Sequence, residues 1–387
     1  MRSLSGEQRR VDVSSKVYKI ANMPPYHVIS ADSHINEPPD LWTSRVLEKH
    51  RDRAPRIESF DQGDAWVIEG ALDPINFGGN CSAGLPLDER SAWIKAEDMR
   101  PGGFLPAPRI ADQDQDGVDA EVLYPTPRIS NSVFWNTTDP AFHLDCIRAY
   151  NDWMSEFCSH DPDRFWGVAM IPNAGVDDAL AEFRRAAALP GIRGAMLGQY
   201  PHGGDAIDAV DDPVWAAAAE AKVPLSIHVS FATQPQGDTK RSKLSGDMRF
   251  FDVPVRISQF VNSGVFDRFP ELKLVLVEVD SGWIPYLKEQ MEDRFMRGSA
   301  EDRSRLRRRP SEYFDDNLAS TFITDHYGVK NRHEVGLSQM MWSSDFPHGG
   351  SDWPNSKASI ERQTDGVPDD ERRMLVAENA MRLYGVG

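Results

Sequence analysis

The chain reads as an α/β protein, a (β/α)8 barrel of the TIM type with a subdomain inserted after its first strand. Three observations predict this. Eight short β-like runs alternate with helical patterns along the chain, and repeated βα units imply parallel strands joined by right-handed crossovers. The 387 residues suit one large barrel carrying insertions. No G-x-G-x-x-G follows the first strand, so the signature of the runner-up, an open doubly wound sheet, is missing.

"YHVISADSHI" (26–35) is the first strand, an apolar run that ends on polar residues. Residues 36–116 follow, rich in Pro, Gly and Asp, with "DAWVIEG" as a small strand inside them. Structureless loops of that length are uncommon, so the stretch is expected to be a subdomain over the barrel mouth. "GVDAEVLYPT" (117–126) is the second strand. "PAFHLDCIRAYNDWMSEFCSH" (140–160) is a helix, with apolar residues three and four apart. "RFWGVAMIP" (164–172), "IRGAMLG" (192–198), "VPLSIHVS" (223–230), "ELKLVLVEV" (271–279), "LASTFIT" (318–324) and "LSQMMWSSDFPH" (337–348) supply the other strands. The helices between them are "DDALAEFRRAAAL" (177–189), "DDPVWAAAAEAK" (211–222) with an acidic cap, "VRISQFVNSGVFDRF" (255–269) and "SGWIPYLKEQMEDRFMR" (281–297). "ERRMLVAENAMRLYG" (371–385) is a closing helix capped by Gly385. Residues 1–27 read as an N-terminal arm and 28–387 as the barrel.

Forty per cent hydrophobic residues give a sizeable core, and no apolar run reaches the 18 or so residues a membrane span needs. The N-terminus lacks a signal-type apolar run. The three cysteines, Cys81, Cys146 and Cys158, form no C-x-x-C, so a reducing cytoplasm is the expected location. A formal charge of −17 disfavours nucleic acid and anionic membranes as partners. Two basic stretches stand against that field, "RSRLRRRP" (303–310) and "KRSK" (240–243); each reads either as an anion-binding patch or as a solvated loop. The sequence leaves a homo-oligomer open.

The chemistry-bearing residues lie where strands end. Asp32 and His34 are two apart and so share one face of the first strand. Glu37 follows in the loop, and His202 comes just after the fourth strand. His228 sits inside the apolar fifth strand, Glu278 and Asp280 end the sixth, and Asp345 and His348 end the last. Barrel enzymes place their chemistry on the rim where strands end. Taken singly, each residue reads as a hydrogen-bonded core histidine or an ion-pair partner. Together, buried acids and imidazoles at matching strand ends are best explained by metal binding. A Ser–His–Asp triad finds little support: Ser230 and Ser281 lie near His228 and Asp280, but there is no G-x-S-x-G.

Several stretches carry a resemblance: "ADSHINEP", "DQDGVDAEVLYPT", "DDPVWAAAAEAKVPLSIH", "FDRFPELKLVLVEVDSGWIP" and "WSSDFPHGG". Their order resembles the amidohydrolase superfamily, in the branch of aminocarboxymuconate-semialdehyde decarboxylase-like proteins. The resemblance implies a TIM barrel with Asp32 and His34 in the first-strand metal motif, His228 as the fifth-strand ligand and Asp345 as the eighth-strand acid. Two departures stand out. The usual first-strand pair is H-x-H or E-x-H, here Asp32-x-His34, and the usual histidine at the end of the sixth strand is here Glu278.

Asp32, His34, Glu37, His202, His228, Glu278, Asp345 and His348 are too many donors for one ion, so two ions of iron type are expected, with some of the eight orienting the others. "DSHINEPPDLW", Glu278 and "DFPHGG" resemble the non-heme di-iron monooxygenases of platensimycin and platencin biosynthesis. That resemblance implies O2 as co-substrate, hydroxylation of a C–H bond on a large CoA-linked diterpenoid, and an external electron donor. On this reading the inserted stretches 76–86 and 93–106 cover an apolar substrate, and the arginines of 303–309 meet a coenzyme A phosphate. The alternative expectation is a hydrolase of an amide, ester or thioester. It would use one Zn or Mn on Asp32, His34, His228 and Asp345, with Glu278 or His348 as general base. A decarboxylase ranks third, and a barrel using metal only for structure is disfavoured because the donors sit at an open mouth.

Overall fold

The computed structural model describes residues 26–229 and 253–386. The arm up to residue 25, "KRSK" and most of the loop after the fifth strand, including Ser230, lie outside the described residues. Eight parallel strands run in chain order around one sheet: β1 (Ile29–His34), β2 (Ala120–Tyr124), β3 (Phe165–Ile171), β4 (Ile192–Leu197), β5 (Leu225–His228), β6 (Leu274–Val277), β7 (Leu318–Phe322) and β8 (Met340–Trp342). This is the expected (β/α)8 architecture. Helices fill the crossovers. Pro140–Cys158, for example, lays Phe142, Ile147, Tyr150, Met154 and Phe157 against the barrel wall, and the Asp139 carboxylate accepts from the Ala141 and Phe142 amides at its start.

Several elements differ from expectation in extent, each for a local reason. The helix expected over 255–269 is two, Val253–Asn262 and Val265–Arg268, parted by Gly264 at φ +68°. The last strand is only Met340–Trp342: Ser343 still donates to the Phe322 carbonyl of β7, and the chain beyond it bonds to β1 through Ser344, Asp345 and Phe346. The Asp211 carboxylate does not cap its helix; it accepts from the backbone N–H of His202 and lies 2.7 Å from the His202 Nδ1. The closing segment contains a π-helical turn, Met374–Glu378, between Asp369–Arg373 and Asn379–Leu383.

The barrel closes between β8 and β1 through the chain beyond β8. The Asp345 amide donates to the Asp32 carbonyl (2.9 Å), and the His34 amide donates to the Phe346 carbonyl (2.7 Å). Ser30, Ser33 and Ser344 tie the same seam with mutual hydroxyl contacts of 2.8–3.1 Å. Arg109 lies wholly buried behind it. Its guanidinium forks onto Glu121 (2.7 and 3.0 Å), donates to the His34 carbonyl (2.9 Å) and lies 4.5 Å from the centre of the Phe346 ring.

Between β1 and β2 the chain forms a three-stranded antiparallel sheet of Arg56–Phe60, Gly63–Val67 and Ile75–Asn76. It then makes short 3-10 turns and the helix Pro106–Asp116. This segment meets the last loop of the barrel directly. Gly349 N–H donates to the Gly79 carbonyl (3.0 Å) and Ala83 N–H to the Pro347 carbonyl (3.1 Å); within the segment, Asn36 N–H donates to the Gly103 carbonyl (2.7 Å). A Cβ at Gly103 would sit 2.2 Å from Asn36 Oδ1, so a larger residue there would have to displace the Asn36 side chain.

Candidate metal centre

His34 is the last residue of β1 and His228 the last of β5. Asp345 follows β8 on a left-handed turn, φ +56°. Asp32, His34 and His228 offer ligand atoms within 4.8 Å of one another, and so do His34, Asp345 and His348. His34 Nε2 is 3.4 Å from Asp32 Oδ1 and 3.3 Å from Asp345 Oδ1. His228 Nε2 lies 3.7 Å from both Asp32 Oδ1 and Glu278 Oε2. The His348 ring stacks on His34, centroids 4.0 Å apart and planes 13° apart, with its Nδ1 2.9 Å from Asp345 Oδ1.

Glu278 reaches His228 because the chain turns sharply after β6. Glu278 and Asp280 both hold positive φ, +60° and +55°, a conformation that costs non-glycine residues energy and clusters at functional sites. The turn is pinned from outside. The Glu278 amide donates to Thr321 Oγ1 (2.9 Å), and the Asp325 carboxylate accepts from the amides of Ser281 and Gly282.

The structure thus brings together Asp32, His34, His228, Asp345 and His348, with Glu278 beside His228. Glu37 and His202, also expected as ligands, lie outside these two donor groups. Glu37 is buried with one oxygen accepting from the Thr126 amide (2.9 Å); burial pushes its carboxyl up to about 7 against that hydrogen bond. His202 pairs with Asp211 and stacks near Tyr200. Sequence reasoning missed two residues of this region. Arg109 had one signal, Glu121, an acid inside an apolar strand that needs a cation. The second is Asn80, whose Nδ2 lies 3.2 Å from His348 Nε2, and whose proline- and glycine-rich surroundings gave no signal.

The donors fit a divalent cation. His34 Nδ1 sits 2.9 Å from the Pro125 carbonyl, which fixes the proton there and leaves a lone pair on Nε2. That Nε2 and both ring nitrogens of His228 are buried without a hydrogen bond. Burial lowers the pKa of both imidazoles, keeping them neutral. Burial also raises the Asp345 carboxyl, but His348 and His34 outweigh it and hold the group well below the usual carboxylate range. Neutral lone pairs facing buried carboxylates are unfavourable unless a cation lies among them. Mixed imidazole and carboxylate donors suit zinc or manganese. Both donor groups contain His34, so they describe one centre.

Residues 31–386 match the Amidohydrolase family. The chain belongs to it. A curated relative is the gamma-resorcylate decarboxylase of Rhizobium sp. (strain MTP-10005), 24% identical over 270 residues, covering 62% of this chain and 76% of that protein. Among solved structures, an amidohydrolase from Mycobacterium avium subsp. paratuberculosis K-10 superposes with a TM-score of 0.72 at 21% identity, covering 94% and 99% of the two chains. A dihydroxybenzoic acid decarboxylase from Polaromonas sp. JS666 superposes with a TM-score of 0.61 at 18% identity, covering 93% and 97%, and that crystal holds manganese and 2-nitroresorcinol.

These relatives overturn the functional expectation. The curated relatives among them are named as decarboxylases, not as monooxygenases. Two irons, O2 and a place in platensimycin and platencin biosynthesis have no support, whereas one divalent ion accords with the manganese-bearing neighbours and with a centre sharing His34. Coenzyme A and an external electron donor likewise lose their basis. In the run at 303–309, Arg305 pairs with Glu301 and Asp302, Arg308 with Asp316, and Arg309 with Glu292. The three cysteines are buried free thiols. No helix among the described residues is long and apolar enough to cross a membrane.

Proposed function

We propose that the protein is a decarboxylase of hydroxylated aromatic acids, working with one divalent ion held by Asp32, His34, His228 and Asp345. The observation that carries this reading is the meeting of two neutral, buried imidazole lone pairs with two carboxylates at the barrel rim, in a chain whose relatives are decarboxylases. When bound, the ion supplies positive charge that draws in the substrate carboxylate and steadies negative charge on the ring.

The protein's own groups move the protons. Loss of CO2 breaks one C–C bond and leaves its electron pair on the ring carbon. The Glu278 carboxyl then delivers a proton to that carbon, so the balance is ArCOO⁻ + H⁺ → ArH + CO2. His348 Nε2 takes the proton of the neighbouring hydroxyl, raising electron density at the same carbon, and returns it afterwards. Asp345 holds the His348 ring through Nδ1. The segment between β1 and β2 covers the mouth and limits water. Neither O2 nor a reductant enters the balance.

The test is direct. Protein loaded with Mn2+ is incubated with 2,6-dihydroxybenzoate and 5-carboxyvanillate, in air and under argon, and CO2 and metal content are measured. One ion per chain and equal CO2 release in both atmospheres are expected. Glu278→Gln should keep its metal and lose roughly 10²-fold in kcat. Failure to release CO2 from a panel of hydroxybenzoates by metal-loaded protein, or release that needs O2, would sink the reading.

A further inference from the structure

Asn80 lies on the segment between β1 and β2, 268 positions before His348 in sequence, yet its side-chain amide sits 3.2 Å from His348 Nε2. It is held there from several sides. Its N–H donates to the Phe77 carbonyl (2.9 Å), and its carbonyl accepts from Asn36 Nδ2 (3.0 Å). The turn that carries it is joined to the chain around His348 by the Gly349–Gly79 and Ala83–Pro347 bonds, and Arg90 Nη1 donates to the Gly349 carbonyl (2.5 Å). A Cβ at Gly349 would come within 2.6 Å of Ser82 Oγ and 3.5 Å of the Gly79 carbonyl, so the two loops pack closely there.

We propose that Asn80 is a positioning residue: it fixes the proton of His348 on Nδ1 and presents Nε2 as a lone pair. The chemistry follows from what each neighbour can do. Asp345 Oδ1, 2.9 Å from Nδ1, is a carboxylate oxygen and only accepts, so Nδ1 bears the hydrogen. A neutral ring then has a lone pair on Nε2, and the amino group of Asn80 donates to it. Asp345 and Asn80 thus grip opposite sides of one imidazole, while His34 stacks beneath it. With the other tautomer, a lone pair would face the carboxylate and an N–H would face the amino group. A substrate hydroxyl arriving at Nε2 replaces the Asn80 amide and finds a proton acceptor already prepared. The use of Nε2 in the reaction rests on the proposed decarboxylation; the tautomer itself does not.

The experiment separates the two. Full-length zinc-loaded protein, labelled with 15N in histidine, is examined by NMR, with the His348 signals identified by their loss in His348→Gln. The expected spectrum has a protonated, pyrrole-type Nδ1 and an unprotonated, pyridine-type Nε2. Asn80→Asp keeps the shape but only accepts, and it should move a proton onto Nε2. Asn80→Ala should give mixed tautomers, with metal content unchanged and kcat reduced roughly tenfold. A wild-type spectrum with protonated Nε2, or an Asn80→Asp spectrum identical to wild type, overturns the proposal. Both readings need no substrate, so they hold even if no hydroxybenzoate is turned over. Should Asn80→Ala fail to fold, Asn80→Asp decides alone.

Discussion

The wall between β3 and β4 and the seam between β8 and β1 close the same barrel by different means. In the wall, five residue pairs run from Gly167–Ile192 to Ile171–Leu197, lined by buried Val168, Met170, Met196 and Leu197. In the seam, two backbone bonds, three serine hydroxyls and a buried arginine do the joining, and the joined residues include Asp32, His34 and Asp345. Apolar ladders stabilise through area removed from water and tolerate small shifts. Polar joints are directional and leave costly orphans when one partner is lost. The candidate metal centre lies on the joint that fixes atoms most strictly.

The sharpest way to break this contrast is at Asp345. Asp345→Asn leaves the backbone bond to Asp32 in place, so the protein should fold, yet metal content should fall and decarboxylation should drop on the order of 10³-fold, about 4 kcal/mol. Metal analysis and CO2 release check it. Arg109→Met should act on the seam itself. Glu121 would be left buried without its cation, costing roughly 3–5 kcal/mol in urea unfolding, and adding Glu121→Leu should recover much of it. In the wall, Leu197→Ala should cost about 3 kcal/mol while metal stoichiometry stays at wild type.

A smaller effect depends on pH. His143 is buried, and burial lowers its pKa to about 4; its Nδ1 is 2.8 Å from Thr137 Oγ1, and its Nε2 accepts from the Asn173 amide. The unfolded chain takes up this proton near pH 6.5, while the folded protein resists until about pH 4. Stability should therefore be full above pH 6.5 and fall by up to about 3 kcal/mol as the pH drops through that window. His143→Gln should flatten that dependence in unfolding curves taken at several pH values. The smallest effect is expected at Arg309, an exposed partner of Glu292: Arg309→Ala should change stability by under about 0.5 kcal/mol and leave turnover untouched.

The contrast also explains what could be read from the sequence. All eight strands were legible because each pairs a short apolar run with a following helix or loop signal, and wall residues such as "FWGVAMI" state their burial outright. Asp32, His34, His228 and Asp345 were legible because strand alternation and strand ends place them on the rim. What the sequence hid was distance. Glu37 and His202 stand equally near strand ends, but in the fold one Glu37 oxygen accepts from the Thr126 amide and His202 pairs with Asp211. Counting eight donors led to two irons and O2, where the manganese-bearing neighbours accord with one divalent ion. Asn80 lay hidden because only folding brings its turn onto His348.

The Asp345–Asp32 bond joins β1 to the chain beyond β8. On the ribosome, a nascent chain that has emerged only through β7 owns Asp32, His34 and His228 but neither Asp345 nor the segment that closes the ring. On the proposed ligand set, cation capture waits until the residues after β8 are made, so a chain truncated before Met340 should accumulate without metal however much is supplied.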